Sequence, residues 1–180
     1  IIILPGSKNT ISDLMMLHQR GLAQKIVEWF HSGKTVVGIC GGYQMMGQIV
    51  LDPLHVEGNE ETVAGLGLLP CRTVMSNEKR TVQTQFHFLN NSTMCTGYEI
   101  HMGETTAVEP VNHLNIIVDG NGEGVLLNDR CWGTYIHGIF DNQVVVNHLL
   151  GRFTSEKAEP FNYQKFKDDQ YNKLADHVRE

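Results

Sequence analysis

The 180-residue sequence lacks the features of membrane proteins, nucleic-acid-binding proteins and disulfide-stapled proteins. No apolar run approaches the ~20 residues that a membrane-spanning helix needs. The 14 basic residues are outnumbered by 20 acidic ones and do not cluster, so no nucleic-acid surface is indicated. The four cysteines are widely spaced and form no C-x-x-C pair, which argues against a zinc site or a disulfide framework. We therefore expect no nucleic-acid, membrane or metal partner, and a reducing, cytoplasmic setting.

The sequence also has no internal repeat, no low-complexity stretch and no initiator methionine at its first residue. Its composition, 41% hydrophobic and 19% charged, is typical of one compact domain that buries a sizeable core. The opening residues 1–4 are apolar and predict a strand that begins at the first residue. We therefore expect further sequence upstream of Ile1 in the natural protein.

The most informative stretch of the chain surrounds Cys40. Residues 35–39 are apolar, β-branched or glycine and predict a short buried strand, while residues 43–46 favour the start of a helix. Between them, Gly41 and Gly42 allow strained backbone angles and close approach of a substrate. This is the placement of a nucleophile elbow, and a helix N-terminus just beyond favours the reactive thiolate. A buried structural cysteine is the alternative interpretation.

A cysteine nucleophile needs a base, and two of the nine histidines are candidates. His137 follows a strand-like run at residues 131–136 and precedes Gly138, so it is expected to face a cleft. The last strand of an α/β domain could bring it beside Cys40, roughly a hundred residues earlier in the chain. His101 is the second candidate. A purely structural histidine is the alternative in both cases.

Backbone N–H groups near Cys40 are candidate donors to the oxyanion of a tetrahedral intermediate. Gly41 and the Gly6-Ser7 loop are placed to offer them, although Gly6 could equally serve only to form a turn. Tyr98, Glu99 and His101 are candidates to line the same cleft. Their alternative interpretation is an ordinary strand whose side chains alternate between two faces.

These residues resemble the class I, triad-type glutamine amidotransferase domains, which share the G-x-C-x-G-x-Q elbow and a later strand-end histidine. A narrower resemblance, to the C-terminal glutaminase domain of cobyric acid synthases, rests on four stretches in order: residues 4–10 (LPGSKNT), 40–47 (CGGYQMMG), 97–103 (GYEIHMG) and 133–141 (GTYIHGIFD). The resemblance extends from about residue 3 to residue 150. Residues 154–180 carry none of these motifs.

The resemblance implies that glutamine is hydrolysed through a thioester on Cys40, with His137 as the base and Gln44 in contact with the bound glutamine. It further implies that the ammonia serves a synthetase domain upstream in the same chain. That domain would bind ATP and Mg²⁺, with the corrinoid acceptor bound elsewhere, and no cofactor is expected in the present domain. The oxyanion and glutamine-binding positions are then Gly6, Ser7, Gly41, Gln44, Tyr98, Glu99 and His101.

One departure from the wider family concerns the group that orients the histidine. The wider family has His-x-Glu, whereas the position two residues after His137 is Ile139. Cobyric acid synthases and cobyrinic acid diamide synthases are similar in lacking this glutamate, so the departure favours the narrower resemblance. Glu99 is a candidate substitute for the missing carboxylate.

The order of elements predicts an α/β fold with a mixed, mainly parallel sheet flanked by helices, flavodoxin-like as in class I glutamine amidotransferase domains. We expect one helix over residues 13–30, a strand over residues 81–89 and a hairpin turn at residues 119–122. The glutaminase domain is expected to span residues 1–153, with its first strand or strands missing upstream. Residues 154–180 are expected to form a charged helical tail, either solvated or docked on a partner.

Three other functions remain open from the sequence. The chain could be the glutaminase domain of a related amidotransferase, either a cobyrinic acid a,c-diamide synthase or an enzyme that amidates a cell-wall lipid precursor. It could be an amidotransferase-like cysteine peptidase that uses the same Cys40 without glutamine. It could also be a binding or scaffold module in which Cys40 is inert.

Overall fold

The computed structural model describes residues 1–153 and 163–179, and the chain divides into two compact units, Ile1–His137 and Gly138–Glu180. The domain boundary that we expect after residue 153 stays a prediction. Pro160, which interrupts the predicted tail, lies outside the described residues.

The first unit contains a four-stranded sheet of the type expected for an α/β fold. Its strands, in sheet order, are β1 (Ile2–Leu4), β2 (Val36–Ile39), β10 (Cys131–Thr134) and β9 (Val125–Asn128). Both β1 and β10 run parallel to β2, and β9 closes the edge antiparallel to β10. All four residues of β2 are buried, which explains why this strand is uniformly apolar rather than alternating.

A second, seven-stranded sheet in the same unit corrects the expectation of mainly parallel pairing. It contains β3 (Ile49–Leu51), β4 (Thr62–Ala64), β5 (Cys71–Phe88), β6 (Met94–Ala107), β7 (Asn115–Ile117), β8 (Gly122–Glu123) and β11 (Ile136–His137). Only the β3–β5 pair is parallel, because the other neighbours are joined by turns or run back along one another. The fold is therefore α/β with mixed sheets, as predicted, but most strand pairs are antiparallel.

Two of the predicted elements lie within this second sheet. The strand predicted over residues 81–89 is the C-terminal half of the much longer β5. The hairpin turn predicted at residues 119–122 joins β7 to β8. Phe88 of β5 and Trp132 of β10, both almost fully buried, meet edge to face at 6.2 Å and so join the cores of the two sheets.

The single helix predicted over residues 13–30 is two helices, α1 (Thr10–Gln19) and α2 (Leu22–His31). Gly21 separates them with φ of 67°, a left-handed conformation that glycine adopts without strain. At the other end of α1, the Asn9 side chain accepts a hydrogen bond from the Ser12 N–H and caps the helix.

The second unit is helical where the structure describes it. It comprises a 3-10 helix (Ile139–Asp141), α4 (Gln143–Leu150) and α5 (Tyr163–Arg179). Helix α5 agrees with the helix predicted in the tail, and its Lys167 pairs with Asp141 at 3.0 Å. Among residues 1–153 and 163–179, no helix is both long and apolar enough to cross a membrane.

Candidate active site

Cys40 lies directly after β2 and directly before α3 (Gly41–Met46), at the sharp turn that the sequence predicts. Its φ of 52° and ψ of −112° are angles that a residue with a side chain rarely adopts. The Cys40 N–H donates to the Thr134 carbonyl of β10 at 2.8 Å, which helps to hold the strained residue. The backbone is therefore that of a nucleophile elbow.

Glycines surround Cys40 because there is no room for side chains. A methyl group on Gly42 would lie 2.0 Å from the Leu4 carbonyl oxygen. A methyl group on Gly38 would lie 2.6 Å from the Met46 sulfur. These close approaches press α3 against β1 and β2, and so fix where the turn presents the cysteine.

His137 and Cys40, which are far apart in sequence, both lie close to Gly6. A methyl group added at Gly6 would be 3.2 Å from His137 Cε1 and 3.7 Å from Cys40 Cβ. The imidazole stacks on the Tyr98 ring, with centroids 5.2 Å apart and planes within 8°. The structure thus brings together three of the residues singled out from the sequence, Cys40, His137 and Gly6, and gives Tyr98 contact with one of them.

The main chain of β6 supplies the partner that orients His137. The ring donates to the Ile100 carbonyl, while the buried Nε2 has no hydrogen-bond partner among the residues that the structure describes. The donating nitrogen is therefore Nδ1, and Nε2 carries a lone pair. The Cys40 thiol also donates to the Ile100 carbonyl, at 3.4 Å. The Ile100 carbonyl is therefore the candidate for the orienting role that a glutamate has in the wider family, where this chain has Ile139.

Glu99, the substitute carboxylate suggested by the sequence, is engaged elsewhere. It accepts hydrogen bonds from Arg80 Nε at 2.8 Å and from His101 Nε2 at 3.2 Å. His101 Nδ1 in turn contacts the Gly103 carbonyl at 2.9 Å. Since both ring nitrogens of His101 are occupied, His137 is the better placed of the two candidate bases.

Burial disfavours the charged forms of both Cys40 and His137. Burial raises the pKa of the Cys40 thiol, outweighing the hydrogen bond from the Gly41 N–H, and the nearby Glu57 carboxylate raises it further. Burial also lowers the pKa of His137, outweighing its bond to Ile100. The Gly41 N–H at the start of α3 lowers the pKa of the thiol, the direction expected of a helix N-terminus, but burial outweighs it.

Two backbone N–H groups near Cys40 are the candidate donors to an oxyanion. The Gly41 N–H hydrogen bonds the Cys40 sulfur, so it already points at the reacting atom. The Ser7 nitrogen lies 2.8 Å from the place that a methyl group on Gly41 would take. The Ser7 hydroxyl, by contrast, donates to Asp13 and accepts from the Asn9 N–H, which shapes the turn. The main chain of Ser7, rather than its side chain, is the candidate donor.

The Gln44 side chain is buried and hydrogen bonds to several elements around the site. Only 2% of it is exposed, and its Oε1 accepts from the Thr10 hydroxyl at 2.8 Å. Its Nε2 donates to the Met102 carbonyl and to the Tyr135 hydroxyl, each at 3.2 Å. The side-chain amide therefore joins α1, α3, β6 and the chain after β10. The contact with bound glutamine that we expect for Gln44 stays a prediction.

Sequence reasoning missed the polar residues behind His137. The Tyr135 hydroxyl pairs with the Thr105 hydroxyl at 2.6 Å, and its ring stacks on His101 with centroids 3.7 Å apart. Glu123 is buried and accepts from the Thr134 hydroxyl at 2.6 Å. In the sequence, Glu123 stands between two glycines and is typical of an exposed turn. Its burial, which is unusual for a glutamate, is evident only in the structure.

The four cysteines are free and buried, and Cys40 and His137 both lie within 4 Å of a methyl group placed on Gly6. Among the described ranges, residues 1–153 and 163–179, no three His, Cys, Asp or Glu side chains are grouped to hold a metal ion. A cysteine close to a histidine, with backbone N–H groups as candidate oxyanion donors, is an arrangement that can support acyl transfer through a thioester.

Comparison with protein families gives a match over most of the chain. The model of the CobB/CobQ-like glutamine amidotransferase domain matches residues 1–145. A cobyric acid synthase of Bacteroides fragilis is 53% identical over 182 residues, covering 99% of this chain. A cobyric acid synthase of Parabacteroides distasonis is 50% identical over 188 residues, covering all of it. The chain spans 37% of the length of each of these relatives.

Solved structures support the fold. A crystal structure of a glutamine amidotransferase superposes with a TM-score of 0.55 at 13% identity, covering 84% of this chain and 75% of that one. The structure of PurLQS from Thermotoga maritima gives 0.53 at 17% identity, covering 74% and 68%. At these identities the likeness shows a shared architecture.

Proposed function

Because this chain belongs to the CobB/CobQ-like glutamine amidotransferase family, we propose that it hydrolyses glutamine through a Cys40 thioester and supplies the ammonia to an amidation reaction. The relatives named cobyric acid synthase favour the carboxylates of a corrin ring as acceptor, in cobalamin biosynthesis. The observation that carries the proposal is the strained Cys40 turn beside an imidazole whose Nε2 has a free lone pair.

In the first half of the reaction, Cys40 Sγ attacks the carbon of the glutamine side-chain amide. His137 Nε2 takes the thiol proton and passes it to the departing nitrogen, so that ammonia leaves and a thioester forms. The amide oxygen, negative in the tetrahedral intermediate, accepts hydrogen bonds from the Gly41 and Ser7 N–H groups. One such donor contributes roughly 2.7–4 kcal/mol of transition-state stabilisation.

In the second half, water replaces ammonia. His137 removes a proton from water as it attacks the thioester, and returns that proton to the sulfur as glutamate leaves. The Ile100 carbonyl holds Nδ1–H throughout, so Nε2 remains the nitrogen that moves the proton. A carbonyl stabilises an imidazolium less than a carboxylate does, and we expect the isolated domain to be a slow glutaminase.

The acceptor reaction would take place outside this chain. The chain covers 37% of the length of the relatives named cobyric acid synthase, so the remaining 63% of those proteins has no counterpart here. We propose that a synthetase domain in the same polypeptide binds ATP, Mg²⁺ and the corrinoid, and receives the ammonia. Relatives that amidate cobyrinic acid or a cell-wall lipid precursor would use the same glutaminase site with a different acceptor.

A glutamine-analogue electrophile tests the assignment directly. We expect a diazo or chloroketone analogue of glutamine to modify Cys40, and free glutamine to protect it, as read by mass spectrometry of the peptide that contains residues 38–46. The Cys40→Ser variant is the matched control and should take up no label. Labelling that glutamine does not slow would point to a peptidase, and no labelling at all would point to an inert module.

A further inference from the structure

Between β10 and β11 the chain passes from one sheet of the first unit to the other, and this crossing carries both halves of the candidate site. We call residues 134–137 the switch segment. At its start, the Thr134 carbonyl accepts the Cys40 N–H at 2.8 Å. At its end lies His137. The conformation of these four residues therefore sets the position of the base relative to the nucleophile.

A sheet crossing breaks the regular ladders of hydrogen bonds, and a buried carboxylate satisfies the donors that result. Glu123 Oε1 accepts from the Tyr135 N–H at 2.7 Å. Its Oε2 accepts from the Thr134 hydroxyl at 2.6 Å and from Asn115 Nδ2 at 2.7 Å. The Thr134 Oγ1 accepts in turn from the Ile136 N–H at 3.0 Å. Two consecutive backbone donors of the switch segment are thus held by this cluster.

The carboxylate is costly to keep in this place. Glu123 is 9% exposed, and burial raises its pKa. A buried charged group is tolerated only where hydrogen bonds replace its water, and here three donors do so. The neighbouring backbone is fitted to it: Gly124 has φ of 70°, and a methyl group there would lie 2.5 Å from the Gly133 carbonyl oxygen. The Glu123 side chain and the close approach of Gly124 to Gly133 therefore hold β8 against the switch segment.

We propose that Glu123 is a positioning residue for the glutaminase reaction, which fixes the switch segment so that His137 and the Cys40 amide hold their relative places. The inference rests on the proposed roles of Cys40 and His137. Glu123 acts through its hydrogen bonds to Thr134 and Tyr135, and through Thr134 it reaches the Ile136 N–H. Replacing it disturbs the geometry of proton transfer while leaving the glutamine contacts in place.

The first test is Glu123→Gln in the intact protein. An amide nitrogen would face the Thr134 hydroxyl and Asn115 Nδ2, both of which now donate, so the cluster loses acceptors. We expect kcat for glutamine hydrolysis to fall by roughly 10²-fold, the cost of a small misplacement of reacting groups, with KM within about 2-fold. An unchanged kcat would overturn the proposal.

A reversed pair provides the rescue. In the double variant Glu123→Gln/Asn115→Asp, the new aspartate can accept from the Thr134 hydroxyl and from the new glutamine amide, and the glutamine oxygen can accept from the Tyr135 N–H. We expect kcat to return to within roughly 3-fold of the parent, because the acceptor count at the switch segment is restored. Loss of activity in the double variant as large as in Glu123→Gln would contradict the positioning role.

Two further measurements separate positioning from stability and from the proposed function. Leu14→Ala, at a fully buried position of α1, should lower stability and leave kcat unchanged at a temperature where the protein is folded. Hydrogen exchange at the Cys40 amide, which donates to the Thr134 carbonyl, reports on the switch segment and needs no enzyme activity. In Glu123→Gln, protection of this amide should fall by more than the overall loss of stability accounts for. Equal losses would overturn the proposal. A parent protein that hydrolyses no glutamine would refute the proposed function, while the exchange result would still decide the role of Glu123.

Discussion

The two sides of the candidate site are built in different ways. The elbow, residues 35–47, consists of one buried strand, one strained cysteine and a short helix. Its close packing depends on glycines that stand next to Cys40 in the sequence and form a recognisable motif with it. The switch segment, residues 134–137, depends on partners distant in sequence: Glu123, Asn115 and the Ile100 carbonyl. A site can therefore have one half that is visible in a short motif and another that exists only in the folded chain.

The difference is also one of chemistry. At the elbow the constraint is steric, since a single methyl group at Gly42 would overlap the Leu4 carbonyl. At the switch segment the constraint is the need of buried polar groups for hydrogen-bond partners. A steric constraint restricts which residue can stand at one position, such as Gly42. A need for hydrogen-bond partners restricts several residues together, such as Glu123, Asn115 and Thr134. Substitutions on the two sides should accordingly fail in different ways.

The largest effect is expected for the nucleophile itself. Cys40→Ser is nearly isosteric, so the elbow should keep its fold while glutamine hydrolysis falls by roughly 10⁴-fold or more. Glutamate release is the measurement. The same change at Cys71, Cys95 or Cys131 should leave the rate unchanged, at some cost in stability because all three are buried. Appreciable hydrolysis by Cys40→Ser would remove the elbow from the mechanism.

The base on the switch side should show the next largest effect. His137→Asn removes the Nε2 lone pair, and we expect thioester formation to slow by at least ~10²-fold. His101→Asn should slow it less, because both nitrogens of His101 already have partners at Glu99 and Gly103. Single-turnover labelling or hydrolysis rates compare the two variants. The reverse ranking would move the centre of the site to β6.

A steric failure on the elbow side should appear in stability. Gly42→Ala places a methyl group 2.0 Å from a backbone oxygen that cannot rotate away. We expect the free energy of unfolding to fall by about 3 kcal/mol, the upper range for overpacking. Gly58→Ala is the matched control, since nothing lies within 4 Å of the added group, and it should change stability by less than about 0.5 kcal/mol. Urea denaturation of both variants measures the contrast.

This contrast also explains what could be predicted from the sequence. The elbow, the parallel strands beside it and the approach of His137 follow from short motifs whose physical meaning is local. The orienting partner of His137 could not be found, because a backbone carbonyl carries no residue identity. Glu99 looked suitable as a carboxylate, yet the strand register places Ile136 opposite it and leaves its oxygens to Arg80 and His101.

The second sheet is the largest difference between the predicted fold and the structure. Residues 71–107 form a long hairpin, whereas the sequence predicted only one alternating stretch of it. The rest was missed because residues near the bulge at 74–79 are polar on both faces and show no alternation. The split of the predicted long helix at Gly21 was visible as an interruption, but whether one glycine ends a helix depends on packing around it.

The smallest expected effect concerns pH and the switch side. Burial lowers the pKa of His137 in the folded protein below its ordinary value of about 6.5, so the unfolded chain binds the proton first as pH falls. Stability therefore rises with pH in this range: His137 has no effect well above pH ~6.5, and it progressively destabilises the fold as pH falls through that value towards the lowered folded pKa. His137→Asn removes this contribution and leaves the other eight histidines of the chain in place. Urea denaturation at several pH values between about 8 and 5 should then show a shallower acid loss for the variant than for the parent. Parallel curves would mean that the imidazole is not desolvated by its place on β11, and would weaken the view that the switch segment keeps it neutral for proton transfer.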